Sequence, residues 1–321
     1  MDTSTEAEIT TWVASSSYAA AQLKATAAGR AQTLWEQFQD WYSTALVAAL
    51  AAEVANLSQA AQDATQGLYG QYVANVIAAL RGTSVQIPSI DLPPVRNGVD
   101  LSLVHTRPAE AYRRAIAVGK TEDQARQAAV LRAGGLVTSD ILLVGRSTQV
   151  ETMRGLDVAR YRRVIRPELS ETGTCGLCIA ASDRIYRRGD LMPIHPPSCQ
   201  CTTLPIVGDD DPGLSLNRED LERLYADAGS TAADDLRKTR YTVNEHGEFG
   251  PVLTKAGDAF RGPTEVALED DPDRAARMLD KLLPVLDTLE QRAAAGEDVS
   301  GPLAYQRNLV ARLRRITESA A

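Results

Sequence analysis

Histidine, cysteine and large aromatic side chains are all scarce in this chain, and each scarcity excludes a class of function. Only His105, His195 and His246 occur in 321 residues. None sits in an H-E-x-x-H metalloprotease helix or beside a G-x-S-x-G nucleophile elbow, and no H-x-E is followed by the P-C-x-x-C of a zinc deaminase. Aromatics make up 5% of residues against 44% hydrophobic, so the apolar content is mostly Ala, Leu and Val, which favours helices in close, shallow packing. The N-terminal MDTSTEAEITTW has neither a basic n-region nor an apolar h-region, so no secretion signal is expected. The long uncharged stretch from Ala64 to Leu80 carries Gln66, Gln71 and Asn75 and is too polar to be read as a bilayer span, so no membrane partner is expected. A net charge of −8 and a pI near 5.1 argue against the whole chain being a general nucleic-acid binder, because phosphate neutralisation needs a basic face.

The four cysteines are concentrated. Cys175-x2-Cys178 is followed by Cys199-x-Cys201, just after His195-Pro196. Cysteines placed for packing alone would be scattered. Four thiolates at roughly 2.3 Å satisfy a tetrahedral zinc ion and tie two chain segments together. The C-x-C half is less usual, so His195 could replace one thiolate and leave Cys199 or Cys201 outside the coordination sphere. Structural zinc is the reading adopted; disulfides and thiols packed in a small core stay open as alternatives. A second concentration is basic: Arg154, Arg160, Arg162, Arg163 and Arg166 precede the cysteines, and Arg184, Arg187 and Arg188 lie between the pairs. The first expectation is that they coat the solvent face of strands and pair with Asp or Glu. The alternative is a DNA-contacting patch formed by Arg160, Arg162, Arg163, Arg166, Arg187 and Arg188.

The expected fold is α+β and mostly α, in four regions. Residues 1–85 read as an Ala-rich helical arm with no proline, weakest at Gly29 and Gly70. Its stripe of Trp35, Phe38 and Trp41, followed by Tyr42, is either core or a partner-binding surface. Residues 86–100 are a Pro-rich linker ending in Asn97-Gly98. Residues 101–208 hold helices packed on a small antiparallel sheet stapled by the Cys/His cluster. One helix has Thr106 as cap and Pro108 in its first turn; the next opens on a Thr121-x-x-Gln124 capping box and stops at Gly134-Gly135; a third covers Val137 to Arg154. Strands are expected at 158–166, 183–187 and 202–207, with a turn at Gly189-Asp190. Residues 209–321 form an irregular acidic tail with helices at 217–228, 231–238, 273–295 (interrupted by Pro284) and 303–318, and a turn or short hairpin at 244–250.

Thr174-Cys175-Gly176-Leu177-Cys178, a strand with Arg184 and Tyr186, and Ile194-His195-Pro196-Pro197-Ser198-Cys199-Gln200-Cys201-Thr202 together resemble the phage Mu F-like head morphogenesis (minor capsid) family. Its pattern is C-x2-C, a "gkvy"-type strand and H-P-x-C-x-C; here Pro197 and Ser198 stand where one residue is usual. The motif resemblance covers about residues 100 to 207, and the Ala-rich helices before it look like the upstream half of actinobacterial-phage members. The resemblance implies a minor head protein of a tailed phage, made in the host cytoplasm and held inside the virion capsid at or near the portal vertex, acting in head assembly or DNA packaging and ejection. The implied partner is the portal protein, with the major capsid or scaffold protein as an alternative; contact with packaged DNA is the expectation that the arginine cluster adds. Such relatives are often labelled capsid maturation proteases. That label would need a nucleophile such as Ser102, Ser139 or Ser147 beside His105, and no triad signature marks one.

Overall fold

The computed structural model describes residues 1–169, 176–182, 184–188, 200–218, 241–255 and 271–319. Helix α1 spans Thr3–Gln37 and α2 spans Thr44–Arg81. Both run straight through Gly29 and Gly70; the arm breaks instead at residues 38–43. Ser43 starts α2 as an N-cap, its hydroxyl accepting from Leu46 N at 3.3 Å, which satisfies a donor the helix cannot. Arg126 closes α1 by donating to the carbonyls of Glu36 and Phe38 at 3.0 and 2.9 Å, a favourable place for a cation. Buried positions on α2 recur at Val47, Ala51, Val54, Ser58, Ala61 and Thr65, the three-four spacing of a helix with one covered face.

After a 3-10 turn at Val95–Gly98 come α3 (Leu101–Val104) and α4 (Arg107–Ala117). Pro108 stands in the first turn of α4 as expected, but Thr106 makes no side-chain cap bond; its hydroxyl donates to Leu103 O. Helix α5 runs without interruption over Glu122–Gly155. Its capping box forms, Thr121 N to Gln124 Oε1 and Gln124 N to Thr121 Oγ1, both 3.3 Å. The expected stop at Gly134-Gly135 is wrong for a packing reason. A Cβ on Gly134 would lie 2.7 Å from Gln32 Nε2, and one on Gly145 would lie 2.7 Å from the Tyr69 ring. These glycines admit neighbouring side chains rather than end the helix.

Strands β1 (Arg160–Val164), β2 (Ile185–Arg187) and β3 (Thr202–Ile206) form an antiparallel sheet in the order β2-β1-β3, with α6 (Gly176–Ser182) packed on β1. Val164 pairs with Thr202, and Arg160 pairs with Ile206 on one side and Arg187 on the other. Residues 212–218 are helical. Strands β4 (Tyr241–His246) and β5 (Gly250–Lys255) make the expected hairpin, longer than anticipated. Helices α7 (Pro272–Ala294) and α8 (Ser300–Glu318) follow. Asp271 caps α7 by accepting from Asp273 N and Arg274 N. Pro284 lies inside α7 without ending it, contrary to expectation; a proline removes one helical bond and clashes with the turn before it, a cost tolerated where α8 packs and Gln306 donates to Leu282 O. The expected helix at 231–238, most of that at 217–228, the Gly189-Asp190 turn and the 192–197 loop lie outside the described residues.

The architecture is α+β, mostly α. It comprises two compact units, one from Met1–Ala27, Ser58–Gly98 and Thr138–Phe260, the other from Ala28–Leu57, Val99–Val137 and Arg261–Ala321. Helices α1, α2 and α5 each contribute residues to both units. The first unit is centred on Ile9 and Val13 of α1, Tyr72, Val73, Val76 and Ile77 of α2, Leu143, Val150 and Met153 of α5, and Tyr161, Val164 and Leu204 of the sheet. Each such side chain contributes roughly 1.5–3 kcal/mol on burial. In the second, Ala117, Leu289, Val299 and Leu303 join α4, α7 and α8. Helices α2 and α5 are long and apolar enough to cross a membrane by length and composition, a point the sequence reading did not credit. In α5, 61% of that apolar window is buried inside the protein, against 28% in α2.

Candidate functional site

Cys178 lies on α6 and Cys201 immediately precedes β3. Both ends of this junction are held by buried polar groups. At the close of α6, Arg162 Nη1 and Asn217 Nδ2 donate to Ser182 O at 3.1 and 3.2 Å, and Tyr186 donates to Ala181 O at 2.9 Å. Asn217 also accepts from Ile165 N and donates to Arg163 O, which ties helical residues 212–218 to the end of β1. At the start of β3, Gln149 Oε1 accepts from Thr202 Oγ1 and Thr203 N, both at 3.0 Å, while Tyr72 donates to Thr203 O at 2.8 Å. Buried Lys24 donates to Gln200, the neighbour of Cys201, at 2.6 Å.

The outcome is that Cys178 Sγ and Cys201 Sγ stand 3.4 Å apart, both buried. A disulfide needs about 2.05 Å. Two thiolates on adjacent corners of a zinc tetrahedron with 2.3 Å bonds lie about 3.8 Å apart. The separation is too long for a disulfide bond: Cys178 and Cys201 are buried thiols in contact. One cysteine comes from each half of the motif. Cys175, His195 and Cys199, which would complete the set, lie outside the described residues; among the described residues no group of three or more His, Cys, Asp or Glu side chains is gathered for a metal.

The aromatic stripe is core. Trp35 is 0% and Trp41 3% exposed. Trp41 stacks on Tyr112 with centroids 4.2 Å apart and on Trp35 at 5.7 Å, and Phe38 meets both indoles edge-on. Arg113 donates to Trp41 O at 2.5 Å and lies over Tyr305, while Arg126 lies over Trp41, each a cation held by a ring face. The break after α1 turns Trp41 inward, so these side chains do not form the outward surface one expectation assigned them.

The arginines are divided rather than displayed together. β1 is the central strand and is covered on both faces, so Arg162 and Arg163 are 4% and 0% exposed, not on a solvent face. Arg162 grips Asp211 through Nε at 3.0 and 2.9 Å and Nη2 at 2.6 Å. Arg166 pairs with Glu168, and Arg154 with Glu151, as the pairing expectation had it. Arg188 is half-buried against Val158 O. Arg160 and Arg187 remain exposed and directly opposed across β1 and β2; Arg160 also donates to Gly208 O.

His105 is completely buried, and the Ser102 hydroxyl donates to Asp100 within the α3 cap. The sequence reading missed Gln149 and Lys24 and gave Asn217 the role of a helix cap, whereas Asn217 lies inside the helical residues 212–218 and its side chain bonds Ile165, Arg163 and Ser182. The signal for the first two was an uncharged or single polar side chain on an otherwise apolar helix face, as with Thr148-Gln149 in α5, which marks a buried hydrogen-bonding group. No family model, no curated protein and no solved structure matches the chain.

Proposed function

We propose that this chain is a minor head protein of a tailed phage, located inside the capsid at or near the portal vertex, with a structural zinc joining the two halves of its cysteine motif. The observation that carries the reading is the apposition of Cys178 and Cys201, which unites the C-x2-C and C-x-C elements whose order resembles the Mu F-like family. Zinc held by these thiolates, with Cys175, Cys199 or His195 completing the set, would supply folding energy to a three-stranded sheet too small to hold itself. Portal binding falls to outward positions of α1 and α2, where Tyr18 and Leu46 are 60% and 48% exposed, since the Trp35 stripe is internal. Mass spectrometry of purified heads tests the assignment: the chain is expected in them, and its absence overturns the reading.

A second reading, contact with packaged DNA, is favoured by one observation. Like charges directly opposed across two strands are destabilising, yet Arg160 and Arg187 face each other at the surface; a phosphate between them would remove that cost. Arg160→Gln with Arg187→Gln should weaken duplex binding and flatten its salt dependence by about two counterions. An unchanged salt slope would restrict the arginines to structure.

A further inference from the structure

The turn at Val95–Gly98 has three successive residues in the left-handed region: Arg96 (φ 54°, ψ 36°), Asn97 (φ 55°, ψ 32°) and Gly98 (φ 82°). Glycine adopts this freely and asparagine with tolerance; arginine does so at a cost. Something must hold it there. The Arg96 side chain is fully buried and bridges two elements, Nε to Asp140 Oδ1 of α5 at 2.5 Å and Nη1 to Glu248 Oε2 of the hairpin turn at 2.8 Å. Asp140 is satisfied further by Ser58 Oγ at 2.9 Å. Asn97 Nδ2 donates to Gly247 O at 2.5 Å, Arg146 Nη2 donates to Phe249 O at 3.0 Å, and the Arg96 guanidinium lies 5.1 Å from the Phe249 ring centroid. The turn itself is shaped by His246, whose Nδ1 accepts from Glu248 N and Phe249 N.

These grips converge on residues 247–249. A two-stranded hairpin is marginal by itself in water, and among the described residues β4 and β5 form a sheet of two strands only. We propose that Val95–Gly98 is a strained latch: with the buried Arg96 guanidinium and the Asn97 amide it clasps the β4–β5 turn onto α5, and its opening releases the hairpin as a unit while the helices stay folded. Strained backbone persists only where its surroundings over-determine it. Here the ion pairs do so, and losing them lets the backbone relax away from Glu248, which makes closure two-state.

Hydrogen exchange with peptide-level mass spectrometry on the full chain tests this. In Glu248→Gln, which keeps the shape and removes the charge, amides of 95–98 and 241–255 should exchange roughly 10²- to 10³-fold faster, the loss expected when one partner of a buried pair is neutralised. Amides of α2 and of residues 138–155 should be unchanged. Arg96→Gly, which relieves the strain but removes both ion pairs, should also open the hairpin selectively. In case either variant fails to fold, wild-type hairpin amides are expected to exchange with a smaller denaturant dependence than those of α2, the mark of a sub-global opening. Hairpin protection unmoved by Glu248→Gln, or a wild-type hairpin that opens only with the helices, would overturn the latch.

Discussion

Cys178 and Cys201, 23 positions apart in sequence, present their sulfurs to each other at 3.4 Å between α6 and the head of β3. Protein purified under reducing conditions should accordingly carry about one zinc per chain. Cys178→Ser should lose it, and chelator should lower the melting temperature. Elemental analysis decides the point: wild type with less than roughly half an equivalent, melting identically with and without chelator, would refute the metal.

Glycine substitutions along α5 should diverge in sign. Gly145→Ala drives a methyl to 2.7 Å from Tyr69 and should cost about 1–3 kcal/mol by overpacking. Gly135 has nothing within 4 Å of its Cβ position, so Gly135→Ala should stabilise by up to about 1 kcal/mol through helix propensity. Urea unfolding of the two variants gives the comparison; equal effects would mean that the Tyr69 contact is unimportant.

Trp41→Ala should cost about 3–5 kcal/mol, because the indole is stacked on Tyr112 and Trp35 rather than exposed. Deleting residues 1–85 should leave a chain that does not fold, since α1 and α2 supply Ile9, Val13, Tyr72, Val73, Val76 and Ile77 to the first core. A truncated chain with dispersed amide NMR signals would contradict the two-unit architecture.

Alkaline stability should depend on Tyr72. Burial raises its folded-state pKa far above the usual 10.0, so the unfolded chain loses the phenolic proton first. The stabilisation is fully present below about pH 10 and falls above it by about 1.4 kcal/mol per pH unit. Tyr72→Phe should lower stability near neutrality by about 1 kcal/mol, through the lost bond to Thr203 O, and should flatten the decline above pH 10. A decline as steep in the variant as in wild type would assign the alkaline effect to other groups.

What the sequence disclosed were features written in local chemistry. The three strands around the cysteines and the Thr121–Gln124 box follow from short-range pattern. What it withheld depended on neighbours distant in sequence. Gly134 looks like a stop until Gln32 is seen beside it. Arg162 and Arg163 look solvated until β1 proves to be central, with Asp211 waiting on one face. Trp41 belonged to a plausible surface stripe until the break at residues 38–43 turned it onto Tyr112.

The central claim, a portal-associated head protein, is tested most directly by co-expressing the full chain with the portal protein of the same phage, capturing the portal, and taking intact masses of both. The account predicts capture of the uncleaved chain, lost when exposed α1 and α2 positions such as Tyr18 and Leu46 are replaced by Glu and kept with Arg160→Gln. A folded, zinc-replete chain that is never captured, or capture accompanied by new N-termini on the portal or capsid protein, would contradict it.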